Sequence, residues 1–193
     1  DPDFTAQILD GDIHTYNAKA FDVDRPTAKS VVYSLMYGGG DALVGALAGG
    51  DARKGKKLKA NYAREVPAFA TLQKGISRAF KRRGYLKGLD GRRLIIRGGS
   101  EHKCLSQLLQ SAGAILCKKW VALIDHELKQ ISDQAYMVGW IHDEVQIACK
   151  SKEVADHVGS ITRRMARESG AAFQTNIGIE SNFSVGNTWA DTH

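Results

Sequence analysis

Cysteine is scarce in this chain, and its three copies suggest neither a disulfide framework nor a metal cluster. Cys104, Cys117 and Cys149 are odd in number, far apart, and have no neighbouring His or Cys at metal-ligand spacing. A reduced, cytoplasmic setting is expected. No apolar run approaches the about 20 residues of a membrane span, and no charged-then-apolar signal segment opens the sequence, so no membrane partner is expected. Internal repeats and low-complexity linkers are also missing. The opening Asp1-Pro2-Asp3 lacks a methionine, and a preceding segment is expected.

What is present is a globular composition. With 193 residues, 43% of them hydrophobic, the chain can bury one good core or two small ones that share a boundary. Lys and Arg number 27 against 21 Asp and Glu, a net charge of +6. The basic residues cluster at 53–59, 78–83 and 92–97, which favours a polyanionic partner. For 53–59 a solvated helix face explains the run equally well.

Along the chain, Asp24-Arg25-Pro26 marks a helix start through a capping carboxylate and a first-turn proline, although Pro26 also biases Arg25 away from helical geometry. Helical spacing runs to Tyr37, and Gly38-Gly39-Gly40 stops it. Residues 41–83 read as helical and basic, with breaks at Gly49-Gly50 and Pro67. Leu89-Asp90-Gly91 reads as a turn, followed by a short strand over 92–97. A long helix follows, with Leu105, Leu108, Leu109, Ala112, Leu116, Leu123 and Ile124 as its buried stripe. Residues 137–141 and 144–148 make a hairpin with an acidic tip at His142-Asp143. Residues 153–169 form another amphipathic helix, and the tail mixes extended pieces with turns. Trp189 reads as core.

Two constellations carry chemistry. In Arg25-x-x-x-Lys29-x-x-x-Tyr33-x-x-x-Tyr37-Gly38, residues four apart on a helix drift only about 40° per step, so the four side chains form one slowly winding row. Two cations followed by two rings would neutralise phosphate and then offer a stacking surface, with the helix N-terminus adding positive potential. A solvated cationic face with two tyrosines turned to the core has the same spacing. In Trp140-Ile141-His142-Asp143-Glu144-Val145, adjacent carboxylates at a hairpin tip can hold a hard cation such as magnesium. Acidic hairpin tips are also common solvated turns.

Together these residues resemble family A DNA polymerases. Arg25, Lys29, Tyr33, Tyr37 and Gly38 look like the family's fingers-helix motif, and His142-Asp143-Glu144 looks like its third palm motif. Supporting matches are Asp12-Ile13-His14, Gly91-Arg92-Arg93, Leu109-Gln110-Ser111-Ala112-Gly113 and Gly186-Asn187-Thr188-Trp189-Ala190 ahead of His193. The texture is closest to replicative polymerases of short-tailed bacteriophages. The resemblance implies an α+β chain: a lead-in over 1–15, fingers over 16–83, and a C-terminal palm part over 84–193 with a small antiparallel sheet.

It also implies roles. Arg25 and Lys29 would grip the incoming dNTP triphosphate with His14 nearby, though His14 also reads as a local structural hydrogen-bonder. Tyr33 would pack on the sugar, as a tyrosine associated with acceptance of dideoxynucleotides, and Tyr37 on the nascent base pair or the templating base. Asp143 would ligate Mg2+, supported by Glu144, and His142 would lie near the primer terminus. Arg92 and Arg93 would hold DNA phosphates, and Gln110 would reach the minor groove. His102, Ser106 and Gln110 form another row at spacing four, but the family often has asparagine where Ser106 stands. Two Mg2+ ions serve the family's nucleotidyl transfer, bridged by two aspartates. The first aspartate's Asp-x-Ser-x-x-Glu-type motif is not in this sequence. An upstream polypeptide is therefore expected to supply it, together with the thumb and any exonuclease. Rival readings are a non-catalytic, polymerase-derived DNA-binding module and a single-subunit RNA polymerase.

Overall fold

The computed structural model describes residues 2–9, 11–96 and 103–192, which fall into two compact units, Asp1–Leu109 and Gln110–His193. The first unit contains helices α1 (Pro2–Leu9), α2 (Ile13–Phe21), α3 (Arg25–Met36), α4 (Asp41–Leu47), α5 (Ala52–Glu65) and α6 (Pro67–Arg83). A minimal ribbon, β1 (Leu86–Lys87) against β2 (Arg93–Leu94), follows, and then α7 (Cys104–Leu128) begins.

Local chemistry sets most of these boundaries. Asp24 caps α3 by accepting the Thr27 N–H at 2.7 Å, and Pro26 sits in the first turn, where the helix needs no amide donor. Arg25 opens the helix despite the proline that follows it. Gly38, at φ 80, lets the Gly39 N–H return to the Ser34 carbonyl at 2.7 Å and close the helix. Helix α2 was not legible as a helix. Asp12 caps it and Asp22 ends it in the left-handed region. The strand expected over 92–97 shrinks to two residues, because pairing extends only from Leu86↔Leu94 to Lys87↔Arg93. Arg97 and His102 lie outside the described residues.

The unit's main core gathers Phe21, Val31, Val32, Leu35, Val44 and Tyr62, with a smaller one around Ile76, Leu86, Cys104 and Leu105. Helices α4 and α5 cross at glycine: a Cβ on Gly55 would stand 1.9 Å from the Asp41 carbonyl oxygen, and one on Gly45 1.9 Å from that of Asp51.

In the second unit α7 continues to a short 3-10 turn (Lys129–Ile131). The antiparallel hairpin β3 (Ala135–Ile141) and β4 (Glu144–Cys149) and helix α8 (Lys152–Ala172) follow. The hairpin's inner face, including Ala135, Met137, Val145 and Ile147, packs with Ile124 of α7 and with Val158 and Met165 of α8. The α7 stripe is shifted from expectation: Ile115 is buried at 5% exposure, whereas Leu109 is 38% exposed. The tail folds back on α8, with Arg167 pairing with Glu180 at 2.8 Å and Phe183 lying against Gly159. Trp189, expected in the core, is 53% exposed, because the four-residue turn Trp189–Thr192 contains no buried position. Among the described residues no helix is long and apolar enough to cross a membrane.

Candidate functional site

The first candidate site is the outer face of α3 together with the start of α2. Arg25, Lys29, Tyr33 and Tyr37 are all exposed, whereas Ala28, Val31, Val32 and Leu35 between them are buried. The tyrosines are 43% and 51% exposed, which removes the reading that turned them to the core. The row is compact. Lys29 Nζ lies 5.9 Å from the Tyr33 ring centroid, and the His14 ring lies 6.1 Å from it at 57°. His14 therefore joins the α3 row although it belongs to α2. Its Nδ1 is buried and has no hydrogen-bond partner among the described residues, so the local structural hydrogen bond is not made through that atom.

Arg25 is held by a residue to which the sequence reading gave no role. Its Nε–H donates to Asp12 Oδ2 at 2.6 Å, and its Nη2 reaches Oδ1 at 3.4 Å. The Arg25 guanidinium, followed by the Thr15 hydroxyl, holds the Asp12 carboxyl far below the usual carboxylate range, and the Arg25 pKa rises correspondingly. The signal available in the sequence was Asp12 itself, a capping residue directly ahead of Ile13-His14.

Arg92 and Arg93 stand on the small ribbon. Arg92 is engaged by its own turn, with Nε and Nη2 2.7 and 2.6 Å from Asp90 Oδ2. This contact lowers the pKa of Asp90. Arg93 lies over the Tyr85 ring, 4.9 Å from its centroid.

In the second unit, His142 and Asp143 form the exposed two-residue tip between β3 and β4, closed by the Ile141↔Glu144 pair. His142 takes φ 55, a left-handed conformation that histidine tolerates better than most residues. Trp140 stabilises this backbone, its indole N–H donating to the His142 carbonyl at 2.9 Å. Glu144 accepts a hydrogen bond from the Gln146 side-chain amide. Neither Trp140 nor Gln146 was singled out from the sequence for these contacts. Cys117 of α7 lies close enough to feel the tip: burial first, and then the Asp143 charge, push its thiol pKa up. Gln110 is exposed on α7.

Whether this tip suits a divalent cation depends on its donor set. Asp143 and Glu144 provide the hard carboxylate oxygens that magnesium prefers. Among the described residues, however, no group of three or more His, Cys, Asp or Glu could enclose an ion. The pair fits part of a metal site.

Comparison with known proteins adds an independent line. The model of the family "DNA polymerase family A" matches residues 4–191. The DNA-directed DNA polymerase of Enterobacteria phage T3 is 35% identical over 99% of this chain, and that of Escherichia phage T7 is 34% identical over the same share. This chain spans only 30% of each relative. A solved structure of the POL domain of Pol1 from M. smegmatis, in complex with DNA primer-template and dNTP, superposes with a TM-score of 0.75 at 17% identity. It covers 86% of this chain and 32% of that one, and the likeness establishes a shared fold.

Proposed function

Because this chain belongs to DNA polymerase family A, we propose that it contributes the nucleotide-binding helix and the second catalytic aspartate to template-directed DNA synthesis. Residues 16–83 serve as fingers after the lead-in 1–15, and 84–193 as the C-terminal part of the palm. The observation that carries the reading is the α3 face, where Arg25, Lys29 and Tyr33 stand exposed in one row and His14 closes on Tyr33.

On this reading Arg25 and Lys29 bind the triphosphate of an incoming dNTP through charge-assisted hydrogen bonds, and the positive end of α3 favours the same anion. Tyr33 packs on the sugar and Tyr37 on the nascent base pair. Asp143, with Glu144, holds Mg2+, while the Trp140 contact keeps the tip backbone in place. His142 lies near the primer terminus, Gln110 and His102 contact DNA, and Arg92 and Arg93 hold phosphates. Bound magnesium supplies activation of the primer hydroxyl and neutralisation of the leaving pyrophosphate.

The other donors come from an upstream polypeptide that carries the first aspartate, the thumb and any exonuclease. Support for that partner lies in β3, whose outer residues Tyr136 and Val138 are 62% and 59% exposed. Such a face on a two-stranded sheet is incompletely covered.

The test is primer extension with magnesium, using the chain alone, the chain with the upstream polypeptide, and that mixture carrying Asp143→Ala. Extension by the intact mixture only is expected, with a loss on the order of a hundredfold or more for Asp143→Ala, the scale of deleting one charge-stabilising group. Unchanged extension by the variant refutes the catalytic assignment. Preferential use of ribonucleotides would move the chain to RNA synthesis.

A further inference from the structure

The two carboxylate oxygens of Asp12 serve two helices at once. Oδ1 accepts the backbone N–H groups of His14 at 3.0 Å and Thr15 at 3.3 Å, which caps α2. Oδ2 accepts the Thr15 hydroxyl at 2.9 Å and the Arg25 Nε–H at 2.6 Å. Arg25 Nη2 also reaches Oδ1 at 3.4 Å. One side chain therefore fixes both the start of the helix that carries His14 and the guanidinium that opens α3, thirteen residues away.

A guanidinium has five N–H donors in a rigid fork. Asp12 engages the Nε and Nη2 side of it and leaves the Nη1 donors, with one of those on Nη2, for another acceptor. We infer that Asp12 is a positioning residue for nucleotide binding: it holds Arg25 by one edge so that a triphosphate meets the opposite edge already oriented. The inference rests on the reading of Arg25 and Lys29 as triphosphate ligands.

Two effects of the carboxylate oppose each other. Its negative charge near the phosphates weakens binding, whereas restraint of a long side chain strengthens it by reducing the entropy lost on contact. The side chains of Arg25 and Asp12 are 55% and 43% exposed, so water and salt screen the repulsion. Orientation is not screened, and it wins. Arg25 holds the Asp12 carboxyl far below the ordinary carboxylate range, so the tether persists through neutral pH and well into acid.

Serine is as good an N-cap as aspartate, so Asp12→Ser keeps the α2 start while it removes the hold on Arg25 together with the contact to the Thr15 hydroxyl. Binding of a fluorescent deoxynucleoside triphosphate, MANT-dATP, to the full chain is measured at low salt for wild type, Asp12→Ser, Arg25→Ala and the double variant. Far-UV circular dichroism and the unfolding temperature check the cap. Should serine fail to hold the helix, Asp12→Asn repeats the comparison. Asp12→Ser is expected to weaken binding about fivefold, within the range of coupled neighbours, and to add nothing once Arg25 is alanine.

Equal or tighter binding by Asp12→Ser, with Arg25→Ala weakened, overturns the inference and leaves the nucleotide reading intact. So does a weakening that persists in the Arg25→Ala background. No binding by the wild type, or none lost in Arg25→Ala, overturns both.

Discussion

Tyr62 places a phenol hydroxyl where nothing answers it. The side chain is 1% exposed, packed between Phe21 and Phe69 at centroid distances of 5.6 and 5.1 Å, and its oxygen has no hydrogen-bond partner among the described residues. A buried hydroxyl without a partner carries a desolvation cost, so Tyr62→Phe should be neutral or stabilising by about 1 kcal/mol at pH 7. Burial also pushes the phenol pKa up to about 12, from about 10 in an unfolded chain. The folded state then keeps a proton that the unfolded state releases. This linkage costs nothing below pH about 10, and stability falls as pH rises between about 10 and 12, on the order of 2 to 3 kcal/mol in all. Denaturant unfolding at pH 8 and pH 11 should show a larger alkaline loss for wild type than for Tyr62→Phe. The same loss in both would place the alkaline transition elsewhere. The α3 row illustrates what one residue can reveal in sequence: the four-residue spacing of Arg25, Lys29, Tyr33 and Tyr37 was readable, but their exposure was not.

For the helices, the same substitution should have opposite signs at two glycines. Gly75 lies inside α6, and nothing stands within 4 Å of where a Cβ would be, so Gly75→Ala should gain about 0.5 to 1 kcal/mol from helix propensity alone. Gly55 lies inside α5, where a Cβ would meet the Asp41 carbonyl at 1.9 Å and the Gly45 amide nitrogen at 2.7 Å. Both are backbone atoms and cannot turn aside, so Gly55→Ala should cost about 2 kcal/mol or more net, overpacking outweighing propensity. Thermal unfolding of the two variants decides it, and equal midpoints would mean that α4 and α5 do not cross this closely. In sequence both are simply glycines within a helical pattern. The element boundaries fared better: Asp24, Gly38 and Pro67 each act within a few residues, and α3, α4, α5 and α6 begin or end where those signals stand. Helix α2 escaped because it buries few side chains, among them Asn17, Ala18 and Phe21.

The whole molecule has a net charge of +6 and an apolar outer face on β3, and the two features point to different partners. The charge suits DNA, with affinity that falls as salt rises. The β3 face suits a polypeptide, because Tyr136 and Val138 stand exposed while Ala135 and Met137 turn inward, and β4 is the only strand paired with β3 among the described residues. Val138→Lys should therefore improve the solubility of the chain alone and weaken the proposed association with an upstream polypeptide at least about tenfold, as a charge introduced into an apolar interface does. Sedimentation of the chain and titration by calorimetry measure the two effects. Association that survives the substitution would move the contact away from β3.

By itself, the sequence determined the helix punctuation, the acidic hairpin and the spacing of the two motifs, because caps, turns and side-chain rows depend on residues within one or two helical turns of each other. Tertiary structure alone decided that Asp12 holds Arg25, that His14 meets Tyr33, that Gly55 is closed in while Gly75 is open, and that Trp189 stays half exposed. Each of these outcomes requires segments distant along the chain to meet, or fail to meet. Periodicity states which face a side chain takes, but not what arrives to cover it.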